Sequence, residues 1–147
     1  MKNVFLTATG AVAILVGLIA PTFAHAVEGR WIESFGQGNY EFFVDKQGLR
    51  LYLGCGTEEG SSSYVALIQI DRGLEIPRFM IKVDGLTFDA PFETASRVGS
   101  NNYHALLQAL RRAPATVIYQ GKTVVFPVTG AAKAIPAGVK ATICRTF

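Results

Sequence analysis

The sequence predicts an α+β domain, mainly antiparallel β, sandwich-like or a curled half-barrel, with one clear helix and one short helix. Three observations carry this. Short apolar runs recur and are broken by Gly-containing turns, which is the pattern of hairpins. One segment alone, Ser100 to Leu110, spaces its apolar residues as an amphipathic helix does. No repeat, linker or low-complexity tract divides the chain, so one domain is expected.

Residues 1–26 read as a secretory signal peptide and residues 27–147 as the mature domain. Lys2 supplies the positive start, and Val4 to Ala20 carries no charge. Pro21 ends the run, and Ala24-His25-Ala26 offers the small-x-small site that signal peptidase cuts. The run is at the short edge for a membrane span, which needs about 20 residues. No comparable run follows, so no stable membrane anchor is expected after cleavage. The localisation expected is periplasmic or secreted.

Val27 to Asn39 is polar and carries Trp31 and Phe35 as expected anchors. Tyr40 to Val44 is a strand candidate. Asp45-Lys46-Gln47-Gly48 reads as a turn, and Leu49 to Leu53 returns with Leu49, Leu51 and Leu53 on one face. Gly54 to Ser63 is a Gly- and Ser-rich loop. Tyr64 to Ile70 is nearly all apolar and reads as a buried strand. After a turn at Asp71-Arg72-Gly73, Arg78 to Val83 and Leu86 to Ala90 form a hairpin around Asp84-Gly85, with Pro91 as its end.

The helix follows, with Ser100 as its expected N-cap and Tyr103, Leu106, Leu107 and Leu110 on one face. Arg111 and Arg112 suit its C-terminal dipole, and Pro114 stops it. Ala115 to Tyr119 and Thr123 to Val128 pair around Gln120-Gly121-Lys122. Thr129 is the expected cap of a short helix over Gly130 to Ile135. Val139 to Cys144 closes the domain, for seven or eight strands in all.

The chain has two cysteines, Cys55 and Cys144, 89 positions apart. In an exported chain an even count reads as a disulfide; two free thiols are the alternative. The formal net charge is +3 with scattered cations, which is no basic stripe for nucleic acid.

Little in the sequence points to a reaction. His104 is the one histidine left after cleavage, it sits on the helix, and there is no Gly-x-Ser-x-Gly elbow. Cys55 lies in Gly54-Cys55-Gly56, which suits either an exposed nucleophile or a turn toward Cys144. No metal-ligand spacing is present; Glu58-Glu59 with Asp45 would meet only if loops converged. Glu41, Glu58, Glu59 and Asp89 offer carboxylates, but no spacing picks out a catalytic pair. No catalytic residue, no cofactor and no metal is therefore expected, and the protein is read as no enzyme. The aromatics Trp31, Phe35, Tyr40, Tyr52, Tyr64 and Tyr103 either pack in the core or, where they exceed what a small core must absorb, leave a remainder for a binding surface. Tyr52, Glu58, Glu59 and Tyr64 are the expected partner-binding residues, with the loop as an adaptable rim. The expected partner is a protein.

From Ser100 onward the chain carries an order of motifs that can be compared. Leu106-Leu107-Gln108-Ala109-Leu110 leads into Ala113-Pro114-Ala115-Thr116-Val117. Gly121, Val124-Val125-Phe126-Pro127-Val128 and Thr129-Gly130-Ala131-Ala132-Lys133-Ala134-Ile135 follow. This resembles the small exported bacterial proteins of the invasion-associated locus B type. The resemblance implies a periplasmic or secreted β-rich domain without an obvious active site, and it carries over no catalytic residue. The function expected is an exported binding protein acting on another protein or on the bacterial envelope. An inhibitor or immunity protein that plugs an enzyme with the Gly54 to Ser63 loop is the alternative, and a hydrolase using His104 stands behind both.

Overall fold

The computed structural model describes residues 27–36, 38–57, 62–138 and 144. The expected leader (1–26), Glu58, Glu59 and most of the expected closing strand Val139 to Cys144 lie outside the described residues.

Ten strands and two helices follow in chain order. The strands are β1 (Ile32–Gly36), β2 (Asn39–Lys46), β3 (Leu49–Cys55), β4 (Tyr64–Gln69), β5 (Leu74–Glu75), β6 (Phe79–Val83), β7 (Leu86–Ala90) and β8 (Phe92–Glu93), then β9 (Ala115–Tyr119) and β10 (Lys122–Phe126). Helix α1 (Arg97–Leu110) lies between β8 and β9, and α2 (Ala131–Ala134) follows β10. Every strand pair is antiparallel. One sheet runs β1-β2-β3-β4-β5 with β8 also on β4, and the other runs β10-β9-β6-β7. The arrangement is sandwich-like, and neither sheet closes into a barrel.

Three hairpins share one device. Gln47-Gly48, Asp84-Gly85 and Gln120-Gly121 each place two successive residues at positive φ, between 46° and 76°. Such a turn follows the right-handed twist of its strands, and Gly at its second position carries no Cβ penalty. Alternation then decides the faces. Leu49, Leu51 and Leu53 point into the core, as do Phe79, Ile81 and Val83. The inner faces of both sheets share a single core with Tyr103, Leu106, Leu107 and Leu110 of α1, all at most 1% exposed.

Several expectations are corrected. The segment before Asn39 is not a plain loop, because Ile32–Gly36 pairs with β2 from Ile32↔Phe43 to Gly36↔Asn39. Trp31 is a core anchor at 3% exposure, but Phe35 is 62% exposed, its ring 4.9 Å from that of Tyr40. Tyr64 and Ile70, read as part of a buried strand, are exposed. The helix begins a turn earlier than expected. Ser96 is the N-cap, its Oγ accepting from the Gly99 amide at 3.1 Å, while Ser100 is buried inside the helix. Arg111 is the C-cap of the helix with Arg112 next to it, as expected, and Arg111 also donates to the carbonyls of Ala132 and Ile135 at α2. The short helix is capped by Gly130 at φ 79°, not by Thr129. The two-residue strands β5 and β8 were not foreseen. Each takes part of the same edge of β4, through Ile68↔Glu75 and Tyr64↔Glu93.

The two ends of the fold are tied together. Trp31 donates its backbone amide to the Thr129 carbonyl at 2.9 Å and its indole Nε1 to the Pro127 carbonyl at 3.0 Å. Cys55 and Cys144 form the expected disulfide, both 1% exposed, with Cα atoms 4.7 Å apart.

Candidate functional site

The outer face of the larger sheet carries a second, smaller apolar cluster. Register places Ile32, Phe43, Tyr52 and Ala66 in one row across β1 to β4, because directly paired residues share a face. The next row holds Glu41, Gly54, Tyr64 and Glu93. Phe43, Tyr52 and Ala66 are buried there against Ile32 and Ile68. Arg50 caps the cluster. Its guanidinium lies 3.9 Å from the Phe43 ring centroid and holds both oxygens of Asp45 at 2.7 and 2.9 Å. Stacking and bidentate pairing together fix this arginine.

Tyr52 and Tyr64, two of the expected partner-binding residues, meet on this face. Their ring centroids are 5.4 Å apart. The Tyr52 hydroxyl donates to Glu41 Oε1 at 2.8 Å. Burial, and then hydrogen bonds to Tyr64 and Glu41, push the Tyr52 phenol above its ordinary range. It therefore stays a neutral donor.

Gly54 makes the pairing possible. A Cβ there would stand 2.4 Å from Cε1 of Tyr64, so the ring occupies the place of a side chain. Tyr64 lies across the strand beside Tyr52 and keeps 38% of its surface exposed. A half-exposed aromatic on a preorganised platform is a common form of interface anchor. A recess of about 310 Å³ adjoins it, bordered by Glu75, Pro91, Phe92 and Glu93.

The base of the expected loop is pinned from several sides. Ser63 Oγ accepts from the Gly56 amide at 3.1 Å, and Thr94 Oγ1 accepts from the Ser63 amide at 2.9 Å. The Thr94 amide donates to the Ser63 carbonyl at 3.0 Å, and Thr57 donates to the Gly38 carbonyl. The Tyr103 hydroxyl reaches the Gly54 carbonyl at 2.9 Å from the core side. The sequence pointed to Cys55, beside the loop, as a turn toward Cys144; the Ser63, Thr94 and Tyr103 supports were missed, since only the fold brings them to the loop.

His104 sits half-buried on α1, 6.3 Å from and edge-on to the Tyr103 ring. Of the carboxylates considered for chemistry, Glu41 is engaged by Tyr52, Asp45 by Arg50, and Asp89 lies on the other sheet. The fold does not bring them together. Among the described residues no group of His, Cys, Asp and Glu could hold a metal ion, and no helix is long and apolar enough to cross a membrane.

A protein-family model, YfjT, matches residues 29–135. No curated protein and no solved structure matches the chain. The matched span takes in all ten strands and both helices, and the chain belongs to the YfjT family.

Proposed function

We propose that this is an exported, non-catalytic binding protein that docks another protein, or a protein of the bacterial envelope, on the outer face of its larger sheet. One observation carries the reading: Tyr64 is held half-exposed over Gly54 and beside Tyr52. Anchors of this kind lose little side-chain freedom on binding, because the free protein already holds them in place. The buried disulfide supports residence in an oxidising compartment, periplasmic or secreted. The resemblance of the chain from Ser100 onward to exported proteins of the invasion-associated locus B type supports the same assignment. The hydrolase reading rests on His104 alone, which packs beside Tyr103 on α1.

A tagged protein in periplasmic extract tests this. Tyr64→Ala should lose a partner that the parent recovers, while His104→Ala keeps it. A folded His104→Ala protein that has lost its biological activity, with Tyr64→Ala silent, refutes the binding reading.

The second reading is an inhibitor that blocks an enzyme with the loop between Gly56 and Ser63. The pinned neck favours it, since a loop fixed at both ends enters a cleft at low entropic cost. In that case Glu58 and Glu59, not Tyr64, carry the capture. Replacing both by Lys should abolish it, and one enzyme should be recovered stoichiometrically.

A further inference from the structure

The smaller sheet has a site of its own. The chain crosses from one sheet to the other between β5 and β6, and crosses back between β7 and β8. Beside these crossings a cleft of about 580 Å³ opens, with Pro77 and Pro91 at its rim. That volume lies within the roughly 300–1,000 Å³ of small-molecule sites.

Register builds its lining. Met80 of β6 pairs with Asp89 of β7 on one side and with Ile118 of β9 on the other. Alternation puts all three on the sheet face away from the core, because Ile81, Phe88 and Val117 between them are buried inward. Met80 and Ile118 are half-buried and form an apolar floor. Asp89 borders the floor on one side, and Arg78, two residues before Met80, borders it at one end. Gln120 brings an amide from the β9–β10 turn. Arg78 and Asp89 thus face the same cleft from two sides of its floor.

These two charges are left open. Elsewhere the molecule closes its Arg–Asp neighbours, Arg50 on Asp45 and Arg112 on Asp84, both at 2.7 Å. Arg78 and Asp89 enter no ion pair among the described residues, although both face one cleft. A ligand that satisfies both must carry both signs. A phosphate or other plain anion meets Asp89, and a plain cation meets Arg78. An apolar floor between opposite charges therefore selects a compact zwitterion with an apolar body.

We infer that this cleft binds an α-amino acid with an apolar side chain. Its carboxylate is taken by Arg78 with help from the Gln120 amide, its ammonium by Asp89, and its side chain rests on Met80 and Ile118. The site lies on the other sheet from Tyr64, so it stands whether or not the partner-binding reading holds.

Calorimetric titration of the purified protein tests it, with L-leucine, leucinamide, N-acetyl-leucine and dileucine as probes. Leucine should bind, and each singly blocked form should bind about 10-fold or more weakly, the loss expected when one charge-assisted contact goes. Arg78→Gln should erase the preference for leucine over leucinamide. Asp89→Asn should erase the preference over N-acetyl-leucine. Both substitutions are on the surface and should leave the fold intact by circular dichroism. Dileucine binding more tightly than leucine would keep the zwitterion and name a short peptide as its source. No heat with leucine and dileucine, or equal binding of leucine and its blocked forms, overturns the inference.

Discussion

The hydroxyl of Tyr103 on α1 donates to the carbonyl of Gly54 near the end of β3, at 2.9 Å and across 49 residues of sequence. It joins the helix to the strand that carries Cys55, and it does so inside the core. Tyr64 covers the opposite face of the same glycine, so two tyrosines bracket one residue with no side chain of its own.

Tyr103→Phe removes that donor and its hydrogen bond from the core. The cost should be about 0.5–1.5 kcal/mol, the net worth of one hydrogen bond. Urea denaturation should show a lower midpoint with an unchanged slope.

Burial of the same tyrosine sets an alkaline limit. Burial raises the Tyr103 phenol far above its ordinary value of 10.0, and burial with hydrogen bonding does the same for Tyr52. A raised pKa means that the folded state holds the proton more tightly than the unfolded chain. The stability linked to it is complete below pH 10 and is lost progressively as pH rises above that value. Denaturation midpoints measured from pH 8 to pH 11 should fall only in the upper part of that range, and less steeply in Tyr103→Phe.

Replacing Cys55 and Cys144 by Ser frees a loop of 89 residues in the unfolded chain. The loss on the chain-entropy model is about 4–5 kcal/mol, against a total of about 5–15 kcal/mol for an ordinary domain. Thermal unfolding with and without reductant should separate widely in the parent and not at all in the double variant.

Gly54→Ala separates binding from folding. The backbone tolerates alanine, but the new Cβ takes the place of the Tyr64 ring. That ring can swing outward into solvent, so stability should change by less than about 1 kcal/mol. Partner capture should drop as far as in Tyr64→Ala. Full capture by the alanine variant would show that the Tyr64 pose does not matter.

Gly99→Ala should behave in the opposite way. Helix propensity alone promises a gain of about 1 kcal/mol. The added Cβ, however, would stand 2.0 Å from the backbone oxygen of Glu93, which cannot swing aside. A net loss of about 1–3 kcal/mol is expected from such overpacking, read as a lower urea midpoint.

What the sequence made legible was what is local. The hairpins at Gln47-Gly48, Asp84-Gly85 and Gln120-Gly121 announce themselves because the turn geometry demands those residue types. The helix face of Tyr103, Leu106, Leu107 and Leu110 follows from spacing alone. The true helix start was hidden by Gly99, a poor helix former whose purpose is close approach to Glu93. Strands β1, β5 and β8 were hidden because two or five residues at a sheet edge owe their form to the neighbour they pair with. The Tyr52–Tyr64 pair was readable as two aromatics flanking one loop. The cleft between Arg78 and Asp89 was not, because it depends on the strand order that sets Met80 between Asp89 and Ile118.

The bonds from Trp31 to Pro127 and Thr129 bear on how the chain folds as it is made. A ribosome releases Trp31 early and its two acceptors nearly a hundred residues later. High contact order of this kind slows folding, because a long loop must close before its contacts give any return. A nascent chain cut off before Pro127 has every hairpin of the larger sheet but lacks both acceptors that hold its first aromatic anchor. The domain should therefore complete itself only after its last third has emerged.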